Sequence, residues 1–222
     1  MLKMIAALLL LPALLPAQGV KTLSAPETKG QYAARTFTAF MQGGVFTFTA
    51  ANTHTRLYQG YVKNVNLLGE RLKELSAAGK ADSPEYAELN RRFGWEFNGM
   101  RLHEVYFAQF GAAPLAAKSP LREALARQYG SYEAWEKDFL ALPAARGIGW
   151  AALVYDRQAG RFHNVWLEQH DGGFPAGAEP LLVLDLFEHA FLQDFQLDKP
   201  RYVKAVWAAL NWAVVEKRFA GR

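Results

Sequence analysis

The sequence contains no cysteine among its 222 residues. This absence excludes disulfide bonds, a zinc site built on thiolates and a lipid anchor attached to an N-terminal cysteine. Charged residues make up only 21% of the chain, and the net charge is +4 without a dense basic run. This charge pattern gives no indication of nucleic-acid binding. Because 51% of the residues are hydrophobic, the protein must be held together by an apolar core or by a bound metal.

The N-terminal stretch "MLKMIAALLLLPALLPAQ" has the pattern of a targeting segment. Lys3 supplies a positive charge, and the apolar run from Ile5 to Leu15 is too short to span a bilayer. Ala17 offers a cleavage position. We therefore expect residues 1–17 to be a secretory signal peptide rather than an uncleaved anchor. The mature protein is then periplasmic or secreted, with no stable membrane insertion after the signal is removed.

Apolar residues recur at steps of three and four between residues 55 and 79, which predicts a long amphipathic helix ending near Gly79. Ser83 and Pro84 are typical first residues of a second helix, which we expect to run to about Phe110. Two long helices joined by a short polar link predict an antiparallel α-helical hairpin over residues 32–112. The stretch "AAPLAAKSP" then indicates a boundary.

The C-terminal part carries strand patterns. The segments "GIGWAALVYD", "RFHNVWLEQHD" and "PLLVLDLF" are short, rich in Val, Leu, Phe and Trp, and separated by turn residues. They predict a three-stranded antiparallel sheet, followed by helical sequence from Glu188 onward. The predicted fold class is α+β: an N-terminal antiparallel α-helical hairpin followed by an α/β domain over residues 119–222.

Histidine is scarce, with five in the chain. In "DLFEHAF", Asp185 and His189 stand four apart, directly after an apolar run that predicts a buried strand. His163 needs no functional role. The other residues at core-facing or element-end positions are His54, His103 and His170. Imidazoles with one carboxylate form a suitable donor set for iron, manganese or zinc. Taken singly, each histidine can instead be a core residue bonded to a backbone carbonyl, and Asp185 can cap the following helix.

His170 follows the second predicted strand, and Asp185 ends the third. Neighbouring strands lie about 4.8 Å apart. We expect these two strands to be neighbours, so that the His170 side chain approaches the site without binding the metal itself. The alternative is an ordinary turn histidine in water, since "DGG" follows directly.

Four motifs together resemble the iron/manganese superoxide dismutase family. "DLFEHAF" followed by "DFQLDKPRYVKAVWAALNWAVVEKRF" resembles the family's C-terminal signature. "LYQGYVKNVN" resembles its first-helix segment, "NGMRLHEVYF" its second-helix histidine segment, and "GIGWAAL" its Gly-x-Gly-Trp strand. The resemblance covers about residues 32 to 219.

The resemblance implies a role for individual residues. It implies that one iron or manganese ion per subunit is held by four ligands and a solvent molecule. Tyr61 matches the family's gate tyrosine, and His170 matches the residue that hydrogen-bonds the solvent. Trp150 matches a wall of the pocket, and Lys199 falls near a basic residue that guides the anion. The implied ligands are His54, His103, Asp185 and His189.

The resemblance also implies a homodimer, with Glu188 reaching across the interface. Two positions depart from the family pattern there. Leu57 replaces a histidine at the substrate gate, and Leu192 replaces the tyrosine that pairs with it across the dimer. The two changes match each other, because a polar contact becomes an apolar one.

The expected activity is therefore conversion of the superoxide anion to dioxygen and hydrogen peroxide by a redox-active metal. A non-haem iron oxygenase is a second reading, but its usual set is two histidines and one carboxylate. A third reading is a non-catalytic metal-binding or structural relative of the same fold. Gly99 stands where some iron enzymes of the family carry a glutamine, whereas His170 approaches from the other side of the site. The sequence therefore does not decide between iron and manganese.

Overall fold

The computed structural model describes residues 30–221. The predicted signal peptide at residues 1–17 lies outside the described residues. The first described helix is the short α1, Thr38–Gln42. Phe40 of α1 is buried, with its ring centre 4.3 Å from that of Phe107. Five residues are too few for a hydrophobic period to be visible, so the sequence did not predict this helix.

The predicted hairpin is formed by α2, Phe48–Ala77, and α3, Pro84–Ala108. Thr47 caps α2 by accepting a hydrogen bond from Ala50 N, and Ser83 caps α3 by accepting one from Tyr86 N. Because this cap lies at Thr47, α2 begins before the stretch in which its period is obvious. His54 therefore lies in the second turn of α2.

The predicted three-stranded antiparallel sheet is confirmed. It consists of β1, Gly149–Asp156, β2, Arg161–Glu168, and β3, Glu179–Asp185. The order is β2-β1-β3, so β1 lies in the centre. Trp150 of β1 pairs with Leu167 on one side and with Asp185 on the other. The expectation that β2 and β3 are neighbours was wrong, because the connection after β2 carries the chain past β1 to its far edge.

Within residues 30–221, five further α-helices and a short 3-10 helix, Leu142–Ala144, accompany the sheet. The segment from Glu188, expected to be helical throughout, is divided at Gln196, which has a positive φ of 53° and ends the first of its helices. Asp198 then caps the next helix, with Pro200 in its first turn. The five helices are α4, Pro120–Tyr129; α5, Tyr132–Ala141; α6, Glu188–Phe195; α7, Lys199–Ala208; and α8, Trp212–Phe219.

A single apolar core runs through both parts of the chain, from Tyr58 and Phe107 in the hairpin to Leu182 and Val206 around the sheet. The core brings α2, α3, α6 and the end of β3 together. The division into two domains, 32–112 and 119–222, stays a prediction. None of the helices in the described part of the chain combines the length and apolar character needed to cross a bilayer.

Candidate metal centre

Four side chains from four different elements converge on one point. His54 comes from α2, His103 from α3, Asp185 from the end of β3, and His189 from α6. One donor atom of each lies within 4.8 Å of all the others. Asp185 Oδ2 lies 3.1 Å from His54 Nε2, 3.2 Å from His189 Nε2 and 3.6 Å from His103 Nε2. The structure therefore brings together all four residues that the family resemblance implied as ligands.

Three members of the cluster are buried and one is partly exposed. His54, His103 and Asp185 are buried, whereas the side chain of His189 is 25% exposed. Tyr61 and Phe187, on the same side, are half-buried. The partly exposed face that carries His189, Phe187 and Tyr61 is therefore the side on which the cluster lies nearest to solvent, and we call it the mouth.

His103 has a ring nitrogen that needs a partner. Its Nδ1 donates a hydrogen bond to Gly99 O over 2.6 Å, which leaves Nε2 as a bare acceptor facing the cluster. Within residues 30–221, no group donates a hydrogen bond to this buried atom. An unsatisfied buried polar atom costs about 1–3 kcal/mol, and a metal ion at the centre of the cluster would satisfy it. An ordinary core histidine bonded to a backbone carbonyl would explain the hydrogen bond of His103 Nδ1, but not the unpaired Nε2.

Asp185 uses its two carboxylate oxygens differently. Oδ1 accepts a hydrogen bond from Phe187 N over 3.0 Å, at the start of α6. Oδ2 faces the three histidines, and the backbone oxygen accepts a hydrogen bond from Tyr202 over 2.7 Å. The alternative in which Asp185 caps the following helix is not realised, because the N-cap residue of α6 is Phe187 and no side chain caps the helix. Asp185 instead binds the Phe187 amide with Oδ1 and places Oδ2 in the cluster.

The electrostatics of the cluster suit metal binding. Burial alone would raise the pKa of Asp185, but the charges and hydrogen bonds of His189 and His54 outweigh it and hold that pKa well below its usual range. Burial lowers the pKa of His54 and, more strongly, that of His103. An ionised carboxylate and neutral imidazoles are the forms that bind a metal.

The spacing of the donor atoms also fits an ion. Nitrogen and oxygen donors bound to one ion at about 2.0–2.2 Å lie about 3–3.7 Å from each other. The three distances from Asp185 Oδ2, 3.1, 3.2 and 3.6 Å, fall in this range. Three imidazoles and one carboxylate suit iron, manganese and zinc.

A hydrogen-bonded chain of three side chains runs beside the cluster. Trp150 Nε1 donates to His170 Nδ1 over 3.1 Å, and His170 Nε2 lies 2.7 Å from Tyr61 Oη. Burial lowers the pKa of His170 to about 4, so the imidazole is neutral near pH 7. With Nδ1 accepting from Trp150, Nε2 carries the proton and donates to Tyr61. His170 is 1% exposed, which argues against an ordinary turn histidine in water.

Tyr61 lies close to the cluster because Gly99 leaves room for it. The Tyr61 ring centre is 5.2 Å from that of His103. A Cβ added at Gly99 would lie 2.7 Å from Tyr61 Cδ1, well inside van der Waals contact. The ring therefore occupies the space that any larger residue at position 99 would need.

The sequence-based expectations missed one aromatic residue of the mouth. The Trp95 ring centre lies 4.8 Å from that of His170. Its position one turn before Gly99 on the His103 face of α3 was the available signal. Lys199, expected near the substrate path, donates its Nζ to Ala145 O over 2.6 Å. His163 is exposed, in agreement with its lack of a predicted role.

Comparison with known proteins gives consistent matches. The profile described as iron/manganese superoxide dismutases, C-terminal domain, matches residues 117–218. Manganese superoxide dismutase 2 of Haloferax volcanii is 34% identical over 162 residues, which cover 72% of this chain and 79% of the relative. The iron superoxide dismutase of Methanothermobacter thermautotrophicus is 32% identical over 171 residues, covering 75% and 82%. The Mn/Fe superoxide dismutase of Propionibacterium freudenreichii subsp. shermanii is 32% identical over 171 residues, covering 75% and 84%.

Proposed function

The chain belongs to the iron/manganese superoxide dismutase family, and we propose that the buried cluster of His54, His103, Asp185 and His189 is its metal site. The protein is a superoxide dismutase that uses one iron or manganese ion per subunit. The observation that carries the assignment of the ligands is the convergence of four donor atoms, drawn from distant parts of the sequence, within 4.8 Å of one another.

The overall reaction consumes two superoxide anions and two protons and yields one dioxygen and one hydrogen peroxide. The bound iron or manganese ion supplies the one-electron chemistry by changing between its +3 and +2 states. Asp185 offsets part of the metal's positive charge, and the three neutral imidazoles complete the donor set. Burial of these side chains keeps bulk water away from them, which strengthens their electrostatic effect on the site.

Tyr61 and His170 control a proton beside the site. Because His170 Nε2–H donates to Tyr61 Oη, the phenol hydrogen is free to be donated toward the cluster. Burial raises the pKa of Tyr61, so the phenol keeps its proton near neutral pH. Trp150 fixes the imidazole tautomer on which this arrangement depends. Hydrogen bonds around a metal site tune its potential, and we assign this role to the three side chains.

The role of His170 can be tested by His170→Ala. The variant should keep its metal, but its turnover should fall about 10–100-fold, as is typical when a group beside the ligands is removed. Metal content by elemental analysis and superoxide decay by stopped flow are the readouts. His163→Ala, on the exposed face of β2, is the matched control. Loss of the metal from His170→Ala would instead make His170 a ligand, and full turnover would remove it from the mechanism.

The activity itself is tested by loading the purified protein separately with iron and with manganese. We expect superoxide to disappear in proportion to the bound metal, with one peroxide formed for every two superoxide anions. The departures at Leu57 and Leu192 keep a non-catalytic metal-binding relative as the second candidate. A fully loaded protein that removes superoxide no faster than the metal-free protein would favour that candidate.

We also propose a homodimer with Glu188 at the interface. Glu188 is exposed directly beside His189, and Leu192, one turn further along α6, is a leucine with 47% exposure. Leu57 lies one turn after His54 on α2, which packs against α6. Light scattering should give twice the subunit mass for the wild type and a lower average mass for Leu192→Glu. A wild-type monomer at micromolar concentration would contradict the proposal.

Export to the periplasm or the medium is the remaining proposal. It rests on Lys3, the apolar run Ile5–Leu15 and Ala17. N-terminal sequencing of the native protein should find a start near residue 18 in the exported fraction. A protein that starts at Met1 and remains in the cytoplasmic fraction would contradict it.

A further inference from the structure

A charged side chain outside the proposed metal site is connected to it through an aromatic ring. Arg92 lies on the face of α3 that carries Trp95, Gly99 and His103, since these positions are spaced by three or four residues. The Arg92 guanidinium carbon lies 5.0 Å from the Trp95 ring centre. The same ring also contacts His170, with the two ring centres 4.8 Å apart. The Trp95 ring therefore lies between Arg92 and the hydrogen-bonded pair of His170 and Tyr61.

The guanidinium is anchored on its inner side and open on its outer side. Arg92 Nε and Nη2 lie 2.8 and 2.6 Å from Glu96 Oε1. Asn64 Nδ2 donates to the other oxygen of Glu96 over 3.3 Å. The Glu96 side chain is 3% exposed, whereas that of Arg92 is 47% exposed. Both contacts of the guanidinium to Glu96 are made by Nε and Nη2, so Nη1 takes no part in this ion pair.

This ion pair presents its positive end to solvent and its negative end to the protein interior. A solute that approaches this surface therefore meets the guanidinium before the carboxylate. Stacking on Trp95 and two contacts to Glu96 fix the guanidinium in one place, so little rotamer freedom is lost when it receives a ligand.

We propose that Arg92 captures small monovalent anions at the mouth and delivers superoxide toward the metal site. The inference rests on the proposed function, because it gives a substrate-guiding residue to that same site. Superoxide is a small anion, and positive charge at a mouth raises the local concentration of anions and the rate of encounter. Lys199 is less suited to this role, since its amine already donates to Ala145 O.

The neighbouring residue supplies a matched control. Arg91 is also a helical arginine in an ion pair with a glutamate: its Nε and Nη2 lie 2.9 and 2.6 Å from the two oxygens of Glu88. Arg91→Gln and Arg92→Gln therefore remove the same charge from adjacent positions of one helix. Only Arg92 is stacked on the ring that contacts His170. Arg92→Lys keeps the charge and loses the planar guanidinium.

The test measures kcat/KM for superoxide as a function of ionic strength on metal-loaded full-length variants with equal metal content. At low ionic strength, Arg92→Gln should lower kcat/KM by about two- to tenfold and flatten its salt dependence. Arg91→Gln should follow the wild type, and Arg92→Lys should retain the salt dependence. The dissociation constant of azide, titrated by visible absorption, should rise in Arg92→Gln and not in Arg91→Gln.

Several results would overturn the inference. An equal loss in Arg91→Gln would assign the effect to overall charge, and an unchanged Arg92→Gln would remove Arg92 from anion capture. A loss in Arg92→Gln that keeps the wild-type salt slope, and that Arg92→Lys shares, would make Arg92 only a support for Trp95. If the wild type itself fails to remove superoxide, the proposed function fails, whereas the azide titration still decides whether Arg92 attracts anions.

Discussion

At the scale of single residues, Gly99 controls how closely Tyr61 approaches the metal site. Glycine inside a helix normally costs about 0.5–1 kcal/mol of stability relative to alanine. At position 99 the missing side chain lets the Tyr61 ring pack directly against the helix, because the ring lies where a Cβ would be. The glycine is therefore explained by the site and not by the helix.

We expect Gly99→Ala to lower dismutase activity without the usual gain in stability, because Tyr61 must move away from His103 and His170. Gly69→Ala in α2 is the control, since a Cβ there meets nothing within 4 Å. Gly69→Ala should raise the free energy of unfolding by about 0.5–1 kcal/mol with unchanged activity. Urea unfolding measures the stability of the two variants, and superoxide decay measures their activity. A Gly99→Ala protein that is more stable and fully active would show that the Tyr61 position is unimportant.

The sequence was informative about the metal site because its chemistry uses scarce residues. Asp185 stood out as a carboxylate at the end of an apolar strand, and the five histidines limited the choice of partners. Trp95 was missed, because an aromatic residue on an apolar helix face has the same pattern whether it packs in a core or lines a mouth. An isolated glycine in a helical pattern, such as Gly99, was a usable signal of close packing.

At the scale of elements, side-chain amides cover both outer edges of the sheet. Gln109, directly after α3, pairs with β3: its Nε2 donates to Val183 O, and its Oε1 accepts from Val183 N. Gln128 of α4 pairs with β2 in the same way at Phe162. Each glutamine amide forms the two hydrogen bonds that a residue of a further strand would form. The N–H and C=O groups of Val183 and Phe162, which would otherwise be unpaired at the sheet edges, are therefore satisfied.

Gln109→Ala should destabilise the protein more than Gln128→Ala. Gln109 is fully buried, so its removal leaves Val183 N and O without partners in the interior, at about 1–3 kcal/mol for each group. Gln128 is exposed, and water can replace it at Phe162. Urea unfolding of the two variants gives the comparison. Equal losses would mean that water reaches the β3 edge as easily as the β2 edge.

The sequence predicted the elements better than their arrangement. The apolar periods of α2 and α3 and the three strand segments are local signals, and the structure contains all of them. Strand order depends on which edges meet in space, and the composition of β2 and β3 contains no information about the insertion of β1 between them. The break between α6 and α7 was missed because the backbone turn at Gln196 lies in a continuous helical pattern.

At the scale of the whole molecule, the metal site connects parts of the chain that are far apart in sequence. Without a metal, three imidazoles share one buried carboxylate, and protonation of the cluster is opposed by burial. Burial lowers the pKa of His54 and His103, so the unfolded chain takes up protons first as the pH falls below about 6.5. The pKa of Asp185 is also lowered in the folded protein, which extends the same trend to more acidic pH.

The metal-free protein should therefore lose stability as the pH falls from 7 to 5. A histidine with a lowered folded-state pKa favours the folded protein above its unfolded-state pKa, and this contribution disappears as the pH decreases. Urea unfolding at several pH values measures the trend. His103→Gln should make the slope shallower, and the exposed His163→Gln should leave it unchanged. A free energy of unfolding that is constant or rises between pH 7 and 5 would contradict the account of the cluster.

Crystallographic anomalous scattering from the metal-loaded protein locates the bound ion directly. Data collected at the iron and manganese absorption edges should show one strong peak per subunit. We expect this peak to lie about 2.0–2.3 Å from donor atoms of His54, His103, Asp185 and His189. His170 should lie beside the ion, hydrogen-bonded to Tyr61, without being a ligand. A peak elsewhere in the molecule, or one from which His54 or Asp185 points away, would contradict the assignment of the metal site.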